Sequence, residues 1–250
     1  MLGLGSSITS FNVSAEPPFD LASNSDLTIW LKFDTGITDS GGVVSQWDDS
    51  SGNSNHATQT TAGNRPTTSG GKVTFDGTDD QLDFATRNDN AFTAIFAIDL
   101  NESGTLNNEV LLGNSSAGWA IKLYRATGPD DVGLRVNANT AEAGSANAHV
   151  DKQLSTGNLP SGKFLFTTTY ENTSGGVTFR VDGVAAASGT FGGSTFNPFR
   201  VEQICFGVGG SGTAAALNAD IYEFAYYTSV LSGTDLTDAE NAIMARVGIS

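Results

Sequence analysis

Apolar and polar residues alternate with a period of two in short runs along most of this chain, and a cluster of turn formers closes nearly every run. Residues 27–33 set Ile29 and Leu31 against Trp30 and Lys32, and residues 43–47 make a second short run. Lys72, Val73, Thr74 and Phe75 alternate up to Asp76-Gly77, a pair able to take positive φ, and the alternation resumes over residues 81–84. Further runs cover 92–100, 109–113, 118–125, 131–137, 163–170, 177–181, 200–208 and 219–227, with Asp182-Gly183 offering a two-residue hairpin turn into 184–187. Spacing this regular, with Gly and Asn at the breaks, predicts an all-β, two-sheet antiparallel sandwich.

One segment keeps a different period. After Leu231-Ser232, the residues Leu236, Ala239, Ile243 and Val247 fall at helical spacing. Ser232 and Thr234 are candidate N-caps, Asp235 and Asp238 suit the first turn, Arg246 suits the last, and Gly248 stands where a C-cap glycine belongs. Residues 138–160 form the longest irregular stretch, too polar for a core, and are a candidate functional loop. Residues 1–25 read as an extended N-terminal arm before a domain over 26–250, because Leu2, Leu4, Ile8 and Phe11 are scattered among Gly and Ser, and Glu16-Pro17-Pro18 interrupts any regular element.

Composition narrows the function. A chain of 250 residues can bury one large core, and sandwiches of this length are often single domains. Its 12 Lys plus Arg against 27 Asp plus Glu give a net charge of −15, which repels nucleic-acid phosphates and anionic membranes and suits a protein working in salty water. The lone Cys205 excludes an intrachain disulfide, and its apolar run places it as a buried small hydrophobe. The first residues lack the basic and apolar regions of a signal peptide, so an extracellular type of composition points to a route outside such as assembly into a virus particle and release by lysis.

Two stretches carry a resemblance to a known family. Residues 47–84, with Trp47-Asp48-Asp49-Ser50-Ser51-Gly52, His56-Ala57, Arg65-Pro66 and Phe75-Asp76-Gly77-Thr78-Asp79-Asp80 in that order, resemble the opening of a concanavalin A-like jelly roll of the laminin-G or pentraxin type. Residues 217–227, followed by a short helix, look like the end of that domain, so the resemblance covers roughly 26–249. It implies a jelly-roll sandwich that hosts lectins, glycosidases and purely structural domains alike. The Leu-Gly-Leu-Gly-Ser start before such a domain also resembles structural proteins of marine tailed phages.

Candidate chemistry follows. Domains of this class often hold Ca²⁺ through Asp, Asn and carbonyl oxygens. Asp48, Asp49, Asn53 and Asn55 offer such oxygens in one loop, and Asp76, Asp79 and Asp80 in another. The same residues also serve as turn formers whose side chains bond their own backbone. For sugar stacking, Trp119, Tyr124, Tyr226 and Tyr227 are candidate platforms, Trp119 and Tyr124 foremost, while Trp30 and Trp47 belong to strands and to the core. Glucanases on this fold place paired acids on one strand face. No Glu-x-Asp-x-x-Glu occurs here, the glutamates are isolated from one another, and His56 and His149 lie in polar loops, so no enzyme activity is expected.

The function expected from these features is a non-enzymatic structural protein on a tailed-phage virion surface, as a head decoration or a neck or tail appendage. Its partners would be capsid, neck or tail proteins, further copies of itself and possible host glycans. Leu2, Leu4, Ile8 and Phe11 would be the attachment anchors. The alternative is a carbohydrate-binding, lectin-like module of a bacterial surface or secreted protein, with a glycosidase least favoured.

Overall fold

A computed structural model describes residues 19–101, 110–113, 121–125, 132–137, 149–153, 160–190, 199–204 and 216–250. Among these the strands are β1 (Leu27–Leu31), β2 (Ile37–Ser40), β3 (Val43–Trp47), β4 (Ala57–Thr58), β5 (Thr67–Ser69), β6 (Lys72–Asp76), β7 (Leu82–Asp89), β8 (Ala91–Leu100) and β9 (Val110–Gly113). They continue with β10 (Ile121–Arg125), β11 (Val132–Asn137), β12 (His149–Gln153), β13 (Phe164–Glu171), β14 (Gly176–Val181), β15 (Val184–Thr190), β16 (Phe199–Ile204) and β17 (Asn218–Tyr227). One α-helix, α1 (Gly233–Val247), follows.

The pairings are antiparallel and make two layers. One layer runs β1-β17-β8-β13-β14-β15. The other runs β2-β3-β4-β7-β16-β9-β10-β11-β12, and β5 with β6 links the layers at one side. The chain is therefore an all-β antiparallel sandwich with a C-terminal helix, as the hydrophobic pattern required.

Between the layers lie Ile29, Leu31, Trp47, Phe75, Phe96, Phe166, Phe179, Phe199 and Phe224, all buried. Here β8, β13 and β17 lose the simple alternation, because their second face is buried as well. That face carries Trp30, Ile95, Ala97, Leu165, Ala225 and Tyr227, and α1 covers it with Leu236, Ala239, Ile243 and Val247. Leu21, in a single 3₁₀ turn over Leu21–Ser23, joins the same cluster, so residues 19–25 lie against the sandwich.

Local signals acted largely as read. Asp182 and Gly183 both take positive φ, 46° and 73°, and turn β14 into β15. Gly248 closes α1 at φ 74°, its N–H bonding to the Met244 carbonyl. Ser232 occupies the N-cap position, yet its side chain makes no capping bond. The stretch 138–160 differs from expectation, since residues 149–153 form β12 and pair with β11. The single apolar residue of β12, Val150, gives no periodic signal, and the neighbouring strand supplies the order instead. His149 thus sits in a strand rather than a loop.

Candidate functional site

The loop after β3 directs its polar atoms inward. The Asp49 carboxylate, nearly buried, accepts the N–H of Trp30 at 2.8 Å, of Ser51 at 2.9 Å and of Asn55 at 2.9 Å. Asn53 Nδ2 donates to the Leu27 carbonyl at 2.9 Å, and Asn55 Nδ2 donates to the Thr28 carbonyl at 2.8 Å. Asp48 accepts from Gln46 Nε2 at 2.6 Å. These bonds satisfy the outer edge of β1, where among the described residues only the Leu31–Asp49 bridge pairs, and they engage the side chains that the sequence offered as cation ligands.

The second acidic group stands differently. Asp76, Asp79 and Asp80 bring one oxygen each within 4.8 Å of one another at the turn between β6 and β7. Asp48 and Asp49 are not part of this group. Asp80 is buried and accepts the Asp76 N–H at 3.0 Å. Burial, with the Asp76 and Asp79 charges adding to it, pushes its carboxyl up to about 6 against the opposing backbone bond. Hard oxygens gathered on one turn, one of them short of solvation, have the donor chemistry that Ca²⁺ takes.

The remaining candidates divide plainly. Trp30 and Trp47 are core residues, their indole N–H groups bonded to Glu223 at 2.7 Å and to the Thr35 carbonyl at 3.1 Å. Tyr226 is fully buried with its hydroxyl on Asp89 at 3.0 Å, and Tyr227 is fully buried beneath α1, so neither presents a ring to a ligand. Tyr124 is placed by backbone register opposite Gly133. Its side chain, Trp119, Cys205 and the arm residues Leu2, Leu4, Ile8 and Phe11 lie outside the described residues.

Three buried carboxylates are held by cations. Glu223 sits against Arg246 at 2.6 Å, Glu240 against Arg180 at 2.9 Å, and Asp220 against Lys72 at 2.5 Å. The first two pairs fasten α1 to β17 and β14. Each of these carboxylates is therefore committed to an ion pair within the fold.

A feature that the sequence did not announce lies on the helix-bearing face. Register aligns Tyr227, Thr93, Thr169, Thr178 and Ser188 in one row across β17, β8, β13, β14 and β15. Thr93 Oγ1 donates to the Ser229 carbonyl and accepts the Leu231 N–H, both at 2.8 Å, so residues 229–231 are anchored over the row. Beside them opens a groove of about 480 Å³, within the ~300–1,000 Å³ common for ligand sites. Ala185, Ala186, Ala187, Val230, Leu231 and Leu236 give it an apolar lining, and Val230 is 40% exposed.

Apart from the Arg180 guanidinium, the polar side chains described in the groove carry hydroxyls. Thr169 and Thr178 share one hydrogen bond at 2.6 Å, which leaves the accepting hydroxyl with its own proton to donate elsewhere. The side chains of Ser188 and Ser232 line the same groove and make no hydrogen bond among the described residues. Apolar walls beside hydroxyls that keep spare hydrogen-bonding capacity can hold a ligand that has C–H faces and hydroxyl edges. The only sequence clue was a Thr or Ser at an outward position on each of several strands, which reads as ordinary solvated surface until register joins them.

No protein-family model matches the sequence, and no curated protein matches it. Solved structures do share the fold. A Trypanosoma rangeli sialidase bound to a difluoro sugar acid is similar over 89% of this chain and 33% of its own, at 12% identity and a TM-score of 0.60. The binding domain of Paraclostridial Mosquitocidal Protein 1 is similar over 91% of this chain and 52% of its own, at 12% identity and a TM-score of 0.55. The binding domain of botulinum neurotoxin DC in complex with SialylT aligns over 90% of this chain and 52% of its own, at 11% identity and a TM-score of 0.56. The chain thus spans a third to about half the length of these structures, and at such identities the likeness is one of fold. Binding domains and an enzyme share it.

Proposed function

We propose that this chain is a non-catalytic glycan-recognition module that binds through the groove between α1 and strands β14 and β15. The observation that carries this reading is the row of hydroxyls facing an apolar wall, with Thr178, Ser188 and Ser232 available to a ligand. Support comes also from the toxin binding domain of the same fold, solved with a sialylated ligand. The non-catalytic part rests on Glu223, Glu240 and Asp220, each engaged by a cation.

Binding to an immobilised glycan panel tests the reading. The wild-type protein should retain at least one class of oligosaccharide, and Ser188→Trp, which fills the groove from an exposed position, should abolish retention without moving the melting temperature. Retention unchanged by Ser188→Trp would remove the groove from consideration.

Display on a tailed-phage particle is the finer form of the proposal. It rests on the resemblance of the Leu2–Ser6 stretch before a jelly-roll domain to structural proteins of marine tailed phages, and on a net charge of −15 suited to salty surroundings. Other virion proteins would then be the structural partners, further copies would crowd the same surface, and the module would work outside the cell. Mass spectrometry of purified particles checks this, since absence of the chain from them would leave the lectin-like module of a bacterial surface or secreted protein. We also assign Ca²⁺ to Asp76, Asp79 and Asp80, where it would brace the turn between β6 and β7.

A further inference from the structure

The charges around the groove narrow the ligand further. Among the described residues, Arg180 is the one charged residue lining it. Its Nε and Nη2 lie 2.9 Å from the two Glu240 oxygens, and Nη2 also donates to the Gly183 carbonyl. Glu240 is 1% exposed, so a ligand carboxylate that drew Arg180 away would strand a buried charge, which costs more than an exposed contact returns. The start of α1 also borders the groove through Ser232 and Gly233, and Asp235 in its first turn offsets the positive end of the helix.

Nor does another described cation stand ready. Lys72 is paired with Asp220, Arg87 with Asp89 and Arg246 with Glu223, Lys163 donates to the Val247 carbonyl, Arg65 donates to the Gln59 and Thr60 carbonyls, and Lys32 lies over the Trp30 ring away from the groove. Around all of this the chain carries −15, a field that lowers the local concentration of anions. A carboxylate or sulfate entering the groove would lose water and meet no free counter-charge among the described residues.

We infer that the groove takes an uncharged saccharide and discriminates against sialylated, uronic and sulfated ones. This rests on the glycan-recognition reading and departs from the sialylated ligand of the toxin domain that shares the fold. Pyranose C–H faces would lie on Val230, Leu231 and the Ala185–Ala187 run, and sugar hydroxyls would exchange hydrogen bonds with Thr178, Ser188 and Ser232. Nothing in such a contact asks Arg180 to leave Glu240.

The experiment is a titration of the whole chain with neutral hexasaccharides of glucose, mannose and N-acetylglucosamine, the matched pair lactose and 3′-sialyllactose, and heparin and hyaluronan oligosaccharides. The expected result is binding of neutral sugars, with acidic ones weaker by at least about tenfold. Val230→Lys, which adds a free cation to the wall, should narrow that gap. An acidic glycan bound as tightly as the neutral ones, and lost in Ser188→Trp, would overturn the inference while leaving groove recognition in place. Binding of no glycan, or binding that Ser188→Trp does not disturb, would overturn both.

Discussion

The loop from Asp48 to His56 and the groove beside α1 are both rich in polar side chains, yet they use them in opposite ways. In the loop, Asp49, Asn53 and Asn55 turn toward β1 and bond its backbone, so the groups that look most ligand-like close the edge of a sheet. In the groove, Ser188 and Ser232 bond nothing among the described residues, and Thr169 with Thr178 leaves a hydroxyl proton over. What marks a binding surface is polar capacity that the fold has not consumed, rather than the density of acidic residues.

Substitution at Asp49 tests the structural side of this contrast and should have the largest effect. Asp49→Ala leaves the buried Trp30 N–H without its acceptor and removes three further charge-assisted bonds, from the Ser51 N–H, the Ser51 hydroxyl and the Asn55 N–H. A loss of about 2–4 kcal/mol is expected in urea unfolding. Glycan retention should survive wherever the variant remains folded. A near-neutral outcome would mean that the loop is surface decoration and the contrast is false.

The turn at Asp76, Asp79 and Asp80 comes next in size. The Asp80 carboxyl, raised by burial from 3.8 to about 6, is held more readily protonated in the folded chain than in the unfolded one. Stability from this group is complete below about pH 4 and falls as pH rises toward and through about 6, by on the order of 1–3 kcal/mol. Asp80→Asn should flatten that part of the profile. Ca²⁺ at this turn would offset the same repulsion, so added Ca²⁺ should raise the melting temperature more at pH 7 than at pH 5. Melting curves in chelator and in Ca²⁺ that superimpose at pH 7 would place this group with the first loop, as turn formers.

Ser232→Ala has the smallest expected effect on stability and sharpens the contrast most. A capping serine usually contributes ~1 kcal/mol, but this one makes no capping bond, so stability should change by less than about 0.5 kcal/mol. Its hydroxyl lines the groove, and glycan affinity should fall severalfold. A clear drop in melting temperature with unchanged affinity would make Ser232 a cap after all.

Much of the fold was legible because its signals are local. Lys72–Phe75, the Asp182-Gly183 turn and the helical spacing of Leu236, Ala239, Ile243 and Val247 each state their conformation within a few residues. β12 was not legible, since a single Val among polar residues has no period to detect, and pairing with β11 decides it. The Asp76–Asp80 cluster was visible as a composition. The sequence already set it in a different loop from Asp48 and Asp49, but only the structure showed that its three carboxylates converge, because ligand distances depend on how the turn closes.

The alternation, the turns and the helix are determined by the sequence itself, through φ preferences and a strand's need to bury one face. The net charge of −15 likewise belongs to the sequence and disfavours anionic partners through the long-range field. The tertiary structure alone decided which polar groups remain available. Thr93, Thr169, Thr178 and Ser188 come from four strands and meet in one row only once the register is set. Glu240 neutralises Arg180 across 60 residues only once α1 has docked, because a hydrogen bond or an ion pair depends on distances of a few ångströms that no spacing along the chain encodes.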